Sequence, residues 1–188
     1  YGNAPVPYRS DTPLSPDSSY SITKAAGWQL CQLYSSVHGL AVISIRPTLM
    51  YGPHQGRNLI SFVIRSVLEG KATVRLDGGS QTRDPVYVDD GVSAFTAAGA
   101  AVERLSGRVI NIGGGHELTV AAIAKTIVEV MGARTEIVSC AEQARATEMW
   151  RSCCDNREAD EWLGWRPSHS LEEGLRATVA FETTHRAE

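Results

Sequence analysis

The apolar positions of this chain fall into short β-branched runs and helical stripes, separated by clusters of Gly, Pro, Asn, Asp and Ser. Residues 3–18 are rich in turn formers and read as a surface loop. Ser18 or Ser19 then offers an N-cap, and the spacing predicts a helix to about Val37, with His38-Gly39 as its stop. Ala25, Ala26, Trp28, Leu30, Cys31, Leu33, Tyr34 and Val37 surround much of this helix, so it is expected to pack on more than one side. "LAVISIRP" predicts a fully buried parallel strand. After the Gly/Pro loop "YGPHQGR", "NLISFVIRSVLEG" is an amphipathic helix ending at Gly70. "TVRL" and "RDPVYV" are strands flanking a turn at Asp77-Gly78-Gly79-Ser80. Asp89 or Asp90 is expected to cap "GVSAFTAAGAAVERL". "RVINIGGG" is a strand entering a Gly-rich loop, Thr119 caps "VAAIAKTIVEVMG", and "RTEIVSC" is a strand. "DNREADEWLGW" and "SLEEGLRATVAFE" are two final helices.

Strands alternating with helices predict an α/β fold with a mainly parallel sheet. No internal repeat is visible. The "GGGHEL" run has Leu118 where a dinucleotide fingerprint needs its last Gly, so it reads as a tight turn after a strand.

Composition narrows the class. The chain has 188 residues, 43% hydrophobic and 21% charged, enough to bury a core without staples. A net charge of -3 and no basic run argue against a nucleic-acid surface. Cys31, Cys140, Cys153 and Cys154 make no C-x-x-C pair and no zinc-ligand spacing, so they read as small buried or half-buried thiols in a reducing compartment, with no metal expected. No apolar run reaches membrane-spanning length and no signal pattern opens the chain, so no membrane association and a cytoplasmic location are the expectation.

Within "SSYSITKAAG", Tyr20 and Lys24 are four apart and share a helix face. A free phenol, with its pKa near ~10, is a poor base at neutral pH. A neighbouring ammonium stabilises the phenolate and suits the pair to proton transfer at a sugar hydroxyl. Taken alone, two exposed polar residues explain the spacing better. Asp89 and Asp90 could be paired carboxylates, but helix capping is the simpler role.

The ordered series "YG…SSYSITK…GL…IRPTLMYGP…NLI…GGSQTRDPVYVDD…INIGGG…RATE…CDNREADEWLGWRPSHSLEEGL" reverses the weighting on that pair. It resembles the extended short-chain dehydrogenase/reductase family, the NAD-dependent sugar-nucleotide epimerases and dehydratases. The resemblance covers essentially the whole chain, but only the later part of the family's length. It implies that the Gly-rich NAD loop would precede Tyr1, and that these residues alone lack turnover.

The resemblance makes Tyr20 the general acid/base, and Lys24 its partner and a holder of the nicotinamide ribose. Pro47 becomes a cofactor contact. Asn58 and Leu59 fall at the start of a helix that meets the nucleotide diphosphate, Val74 and Leu76 at positions covering the base. Arg83 and Arg145 match diphosphate-binding arginines, and Glu148 a ribose contact. The sequence departs from the family at Leu49, where Asn is usual, and at Trp28, Pro85, Gly91 and Thr147. His54 and His116 have no chemical partner at useful spacing.

The implied fold is the later part of a Rossmann-like parallel sheet plus a smaller α/β substrate-binding domain. Residues 1–53 and 84–115 would belong to the first, 54–83 and 116–188 mostly to the second. The implied activity is epimerisation of a nucleotide-diphosphate sugar through a 4-keto intermediate, with NAD, or NADP, as cofactor. A 4,6-dehydratase or decarboxylase of the same family is the alternative. A non-catalytic nucleotide-sugar-binding module is a third reading, motivated by the missing loop and Leu49. A homodimer through the helix carrying Tyr20 is expected.

Overall fold

The computed structural model describes residues 1–56, 58–140 and 148–185. Its first helix, α1 (Ser19–His38), begins where the sequence places it. Ser18 caps it reciprocally with Ser21, and Gly39 ends it in the left-handed conformation. Within this chain α1 packs on one side and has no buried residue. Ser21, Ala25, Trp28 and Ser35 are half-buried and form its inward side. Leu30, Leu33, Tyr34 and Val37 are exposed at i, i+3, i+4 and i+7, a single stripe that no described residue covers.

Three parallel strand pairs and one antiparallel pair follow. β1 (Ser44–Pro47) pairs with β6 (Val109–Ile112), and β2 (Leu49–Tyr51) with β5 (Pro85–Tyr87). β3 (Thr73–Asp77) pairs with β8 (Glu136–Cys140), while β4 (Thr82–Arg83) runs antiparallel to β7 (Leu118–Thr119). β1 is shorter than its apolar run suggests, and its residues are half-buried or exposed. Among the described residues only β6 pairs with it, and it is not the fully buried strand the sequence predicts.

The helices after β2 carry most of the burial. α2 (Leu59–Leu68), α4 (Val120–Val130) and α6 (Leu171–Thr184) enclose one hydrophobic cluster with β3, centred on Ile60, Val63, Ile64, Val74, Ile123, Ile127 and Leu175. A second cluster joins Val86, Ile110 and Ile112 to Ala94 of α3 (Val88–Ala100), Ala159 of α5 (Arg157–Leu163) and Trp165. Burying each such aliphatic side chain contributes on the order of 2 kcal/mol.

The N-terminal loop is pinned to the segment before α5 and to β1 and β6. Tyr8 N donates to Cys153 O at 2.8 Å, and Asp155 N to Tyr8 O at 2.9 Å. Tyr1 Oη donates to the buried Asn111 Oδ1 at 2.8 Å and accepts from Arg46 Nη1 at 2.9 Å.

The Gly-rich loop after β6 is a packing device. Asp84, fully buried, accepts from His116 N at 3.1 Å and Cys154 N at 3.2 Å. A Cβ on Gly113 would be driven into the Asp84 carboxylate, and one on Gly114 into Pro85 O. Burial pushes the Asp84 carboxyl up, against the backbone N–H groups that favour its charged form.

The expected cap of α3 is not there. Tyr87 is the N-cap and gives no side-chain hydrogen bond. Asp90 instead turns its carboxylate to Ser168 and His169, because those residues supply donors that the helix start would otherwise have to provide. The cysteines are all free, and Cys31 is exposed on α1 rather than buried. Among the described residues no helix is long and apolar enough to cross a membrane.

Candidate functional site

The cleft is built by the ends of α2, β3 and β4. Asn58 caps α2, with Oδ1 accepting from Ser61 N at 2.8 Å and its own N donating to Ser61 Oγ at 3.0 Å. That places its side chain at the helix entrance, where free N–H groups and the helix dipole favour an anion. Its Nδ2 is buried and has no hydrogen-bond partner among the described residues. A buried donor left unpaired costs free energy, so this amide calls for a partner, whether water or ligand.

β3 alternates exposed and buried residues, so Arg75 and Asp77 share one face and Val74 and Leu76 the other. The following turn is closed by Gln81, whose Nε2 donates to Asp77 O at 2.9 Å and whose Oε1 accepts from Gly79 N. That turn delivers Arg83 on β4. Arg83 Nη1 donates to Thr82 O at 2.7 Å and Met149 O at 2.8 Å, and Nη2 to Glu148 Oε1 at 2.6 Å.

Together these residues line a cleft of about 560 Å³, bounded by Leu49, Leu59, Leu76 and Val120 on its apolar side. That size suits a small-molecule ligand. Asn58, Leu59, Leu76, Arg83 and Glu148, all singled out in the sequence, line it. Val74 lies deeper, in the core beside Leu76. Arg145 lies outside the described residues.

Tyr20, Lys24 and Pro47 do not line this cleft. Tyr20 and Lys24 do meet on α1, with Nζ 5.4 Å from the ring centroid, and Tyr20 is 69% exposed. Pro47 is exposed at the carboxyl end of β1, the end of a parallel strand where α/β sheets place ligands.

Sequence reasoning missed Phe62, Arg75, Asp77, Gln81 and Val120 as cleft residues. Two signals were available. Phe62 is three residues after Leu59 and so shares its helix face, and the alternation of "TVRLD" puts Arg75 opposite the core. Arg75 has no carboxylate partner in an ion pair among the described residues, and its Nη1 donates to Cys140 Sγ at 4.0 Å. Leu49 contributes an apolar wall where the family usually offers an amide.

Parallel strands with crossover helices define a Rossmann-like α/β fold, and its ligand-sized cleft holds Arg75 and Arg83 beside Asp77 and Glu148, with the unpaired amide of Asn58. The model of the NAD dependent epimerase/dehydratase family matches residues 1–113, and the chain belongs to that family. It is 34% identical over 186 residues to a UDP-glucose 4-epimerase of Mycolicibacterium smegmatis, covering 96% of this chain and 58% of that protein. It is 33% identical to a dTDP-glucose 4,6-dehydratase of Streptomyces griseus, covering 96% and 54%. The fold superposes on UDP-glucuronic acid 4-epimerase from Bacillus cereus, solved in complex with UDP-glucuronic acid and NAD, with a TM-score of 0.91. That match has 27% identity over 98% of this chain and 58% of that one. The chain thus spans little more than half the length of these relatives.

Proposed function

We propose that this chain is the nucleotide-sugar-binding and proton-transferring part of an NAD-dependent epimerase, of the type that inverts a sugar at C4. One observation carries the reading. Asn58, Leu59, Leu76, Arg83 and Glu148, five of the positions that the family resemblance assigns to the nucleotide, come from the start of α2, from β3, from β4 and from the segment before α5, and line one cleft. Arg83 and Asn58 would meet the diphosphate, and Leu59 and Leu76 the nucleoside.

Tyr20, Lys24 and Pro47 would hold the cofactor side. Their exposure at α1 and at the carboxyl end of β1 leaves them open to such a group. NAD, when bound, supplies hydride transfer. The phenol oxygen of Tyr20 takes the proton of the sugar hydroxyl and returns it, while the Lys24 ammonium stabilises the phenolate and holds a ribose hydroxyl. On this reading residues 1–53 and 84–115 form the cofactor side, and 54–83 and 116–188 most of the substrate side. The exposed stripe on α1 would meet a second copy.

A 4,6-dehydratase is the second reading, favoured by the relative from Streptomyces griseus. Assays on the full-length enzyme with UDP-glucose, UDP-glucuronate and dTDP-glucose separate the two. Tyr20→Phe should remove turnover and leave UDP binding intact, and unchanged turnover would refute the role of Tyr20.

A further inference from the structure

Among the charged side chains lining the cleft, Arg75 and Arg83 differ in one respect. Arg75 has no carboxylate partner in an ion pair among the described residues, whereas Arg83 is paired with Glu148 at 2.6 Å. A guanidinium carries five N–H donors. Two of Arg83's are given by Nη1 to the carbonyls of Thr82 and Met149, and one by Nη2 to the carboxylate. The plane is therefore fixed, with two donors left over. The positive charge, however, is largely neutralised. The pair is also shielded, with side chains 22% and 10% exposed, so its electrostatics are less screened than those of a surface pair.

The segment bearing Glu148 is itself held. Asn3 Nδ2 donates to Glu148 O at 3.3 Å, and Asn3 Oδ1 accepts from Trp150 N at 3.0 Å. The carboxylate thus stands against Arg83 on an anchored backbone.

We propose that Glu148 is a positioning residue for Arg83 that also competes with the ligand's phosphates for it. This rests on the reading that the cleft takes a diphosphate. The carboxylate holds the guanidinium at the cleft wall, and a diphosphate gains Arg83 only by sharing it with Glu148 or taking it. Each arriving phosphate also meets the repulsion of that carboxylate. Orientation is gained and anion affinity is reduced, which suits a site that must release its product. The sequence resemblance assigns Glu148 to a ribose hydroxyl, whereas the geometry gives its Oε1 to Arg83.

The test is calorimetric titration of the purified protein with pyrophosphate and with UDP at low ionic strength. Glu148→Gln keeps an acceptor for Arg83 and removes the charge. It should bind pyrophosphate about fivefold more tightly, a gain that a merely structural role for Glu148 cannot produce. Glu148→Asp keeps the charge but is too short to hold Arg83 from the same backbone, so it should gain no affinity, and Glu148→Ala should fall below Glu148→Gln because orientation is lost as well. Pyrophosphate affinity unchanged or weakened in Glu148→Gln overturns the proposal. So does a loss confined to UDP, which would put the carboxylate on the ribose. Arg83→Ala separates this from failure of the underlying reading. If Arg83→Ala loses pyrophosphate but Glu148→Gln gains none, only the role of Glu148 is wrong. If the wild type binds neither probe, the diphosphate site itself is refuted, and the role of Glu148 with it.

Discussion

The carboxylate of Asp90 lies 3.0 Å from Nδ1 of His169, tying the first turn of α3 to the turn before α6. Ser168 Oγ donates to the same carboxylate at 2.6 Å, and the backbone N–H groups of Ser168 and His169 do so at 3.1 Å. The Tyr87 ring lies 4.9 Å from the imidazole, so the cluster sits where the two hydrophobic clusters adjoin.

This pair gives stability a pH dependence of defined sign. The Asp90 hydrogen bond raises the His169 pKa, against desolvation, with Asp89 and Glu173 adding to the field. Burial pushes the Asp90 carboxyl up, but the hydrogen bonds from Ser168 and His169 outweigh it and hold it below the usual range. A raised histidine stabilises fully below its unfolded pKa, about 6.5, and the contribution is lost as pH rises through the folded value. A depressed aspartate stabilises above its unfolded pKa, about 3.9, and the contribution is lost as pH falls through the folded value. The combined contribution is greatest near pH 5 to 6, roughly between those reference values. Urea midpoints should be higher at about pH 5.5 than at about pH 8.5, and His169→Gln should remove much of that difference. Equal slopes in wild type and variant would count against the linkage.

Gly114 has no room for a side chain, since a Cβ there would be driven into the backbone oxygen of Pro85, which cannot swing aside. Gly114→Ala should cost about 3 kcal/mol by urea denaturation, the upper end of ordinary overpacking. Gly99, whose Cβ would meet open space in α3, is the control. Gly99→Ala should be neutral or stabilising by up to about 1 kcal/mol, because Ala favours helix. A Gly114→Ala protein as stable as wild type would mean that the loop can move away from β5.

How much of this was legible beforehand varied with the physics involved. Helix starts read well because caps are local: Ser18 and Thr119, both named from the sequence, cap as side-chain acceptors, and Asn58 and Ser170 do the same at helices the sequence places. Asp90 was misread because its partners are distant in sequence, and no local pattern separates a capping aspartate from one that clamps a remote turn. The burial of β1 was misjudged for a similar reason. A β-branched run fixes strand propensity, but burial depends on which elements lie alongside. Asn58, Arg83 and Glu148 were visible as cleft candidates only through family motifs. Arg75 carries no motif at all, and only its alternation on β3 betrays its place.

Asn58 combines two roles that one substitution can separate. Its Oδ1 caps α2, and its Nδ2 is the buried donor without a partner. Asn58→Asp keeps a capping oxygen, adds a negative charge and removes the donor. Stability should stay within about 0.5 kcal/mol, since Asp and Asn are comparable caps. Pyrophosphate affinity should fall about tenfold or more, through the lost hydrogen bond and the added repulsion. Asn58→Ala should instead cost about 1 kcal/mol of stability through loss of the cap. An Asp variant that binds pyrophosphate as well as wild type would remove Asn58 from the anion site.

The α1 stripe makes the strongest statement about assembly. Leu30, Leu33, Tyr34 and Val37 are each more than half exposed on a helix with no buried residue. A contiguous apolar stripe facing water is what an interface looks like before its partner is in place. If a second copy covers it, Leu30→Glu with Leu33→Glu should halve the mass seen by light scattering in the full-length protein. The same pair should change the stability of the dissociated chain by no more than about 1 kcal/mol, because neither side chain is part of either core. Tyr20 and Lys24 lie on the same helix but outside that stripe, so Tyr20→Phe should leave the mass unchanged. A double variant that remains dimeric would place the interface elsewhere, and a wild type that is monomeric at micromolar concentration would refute the dimer.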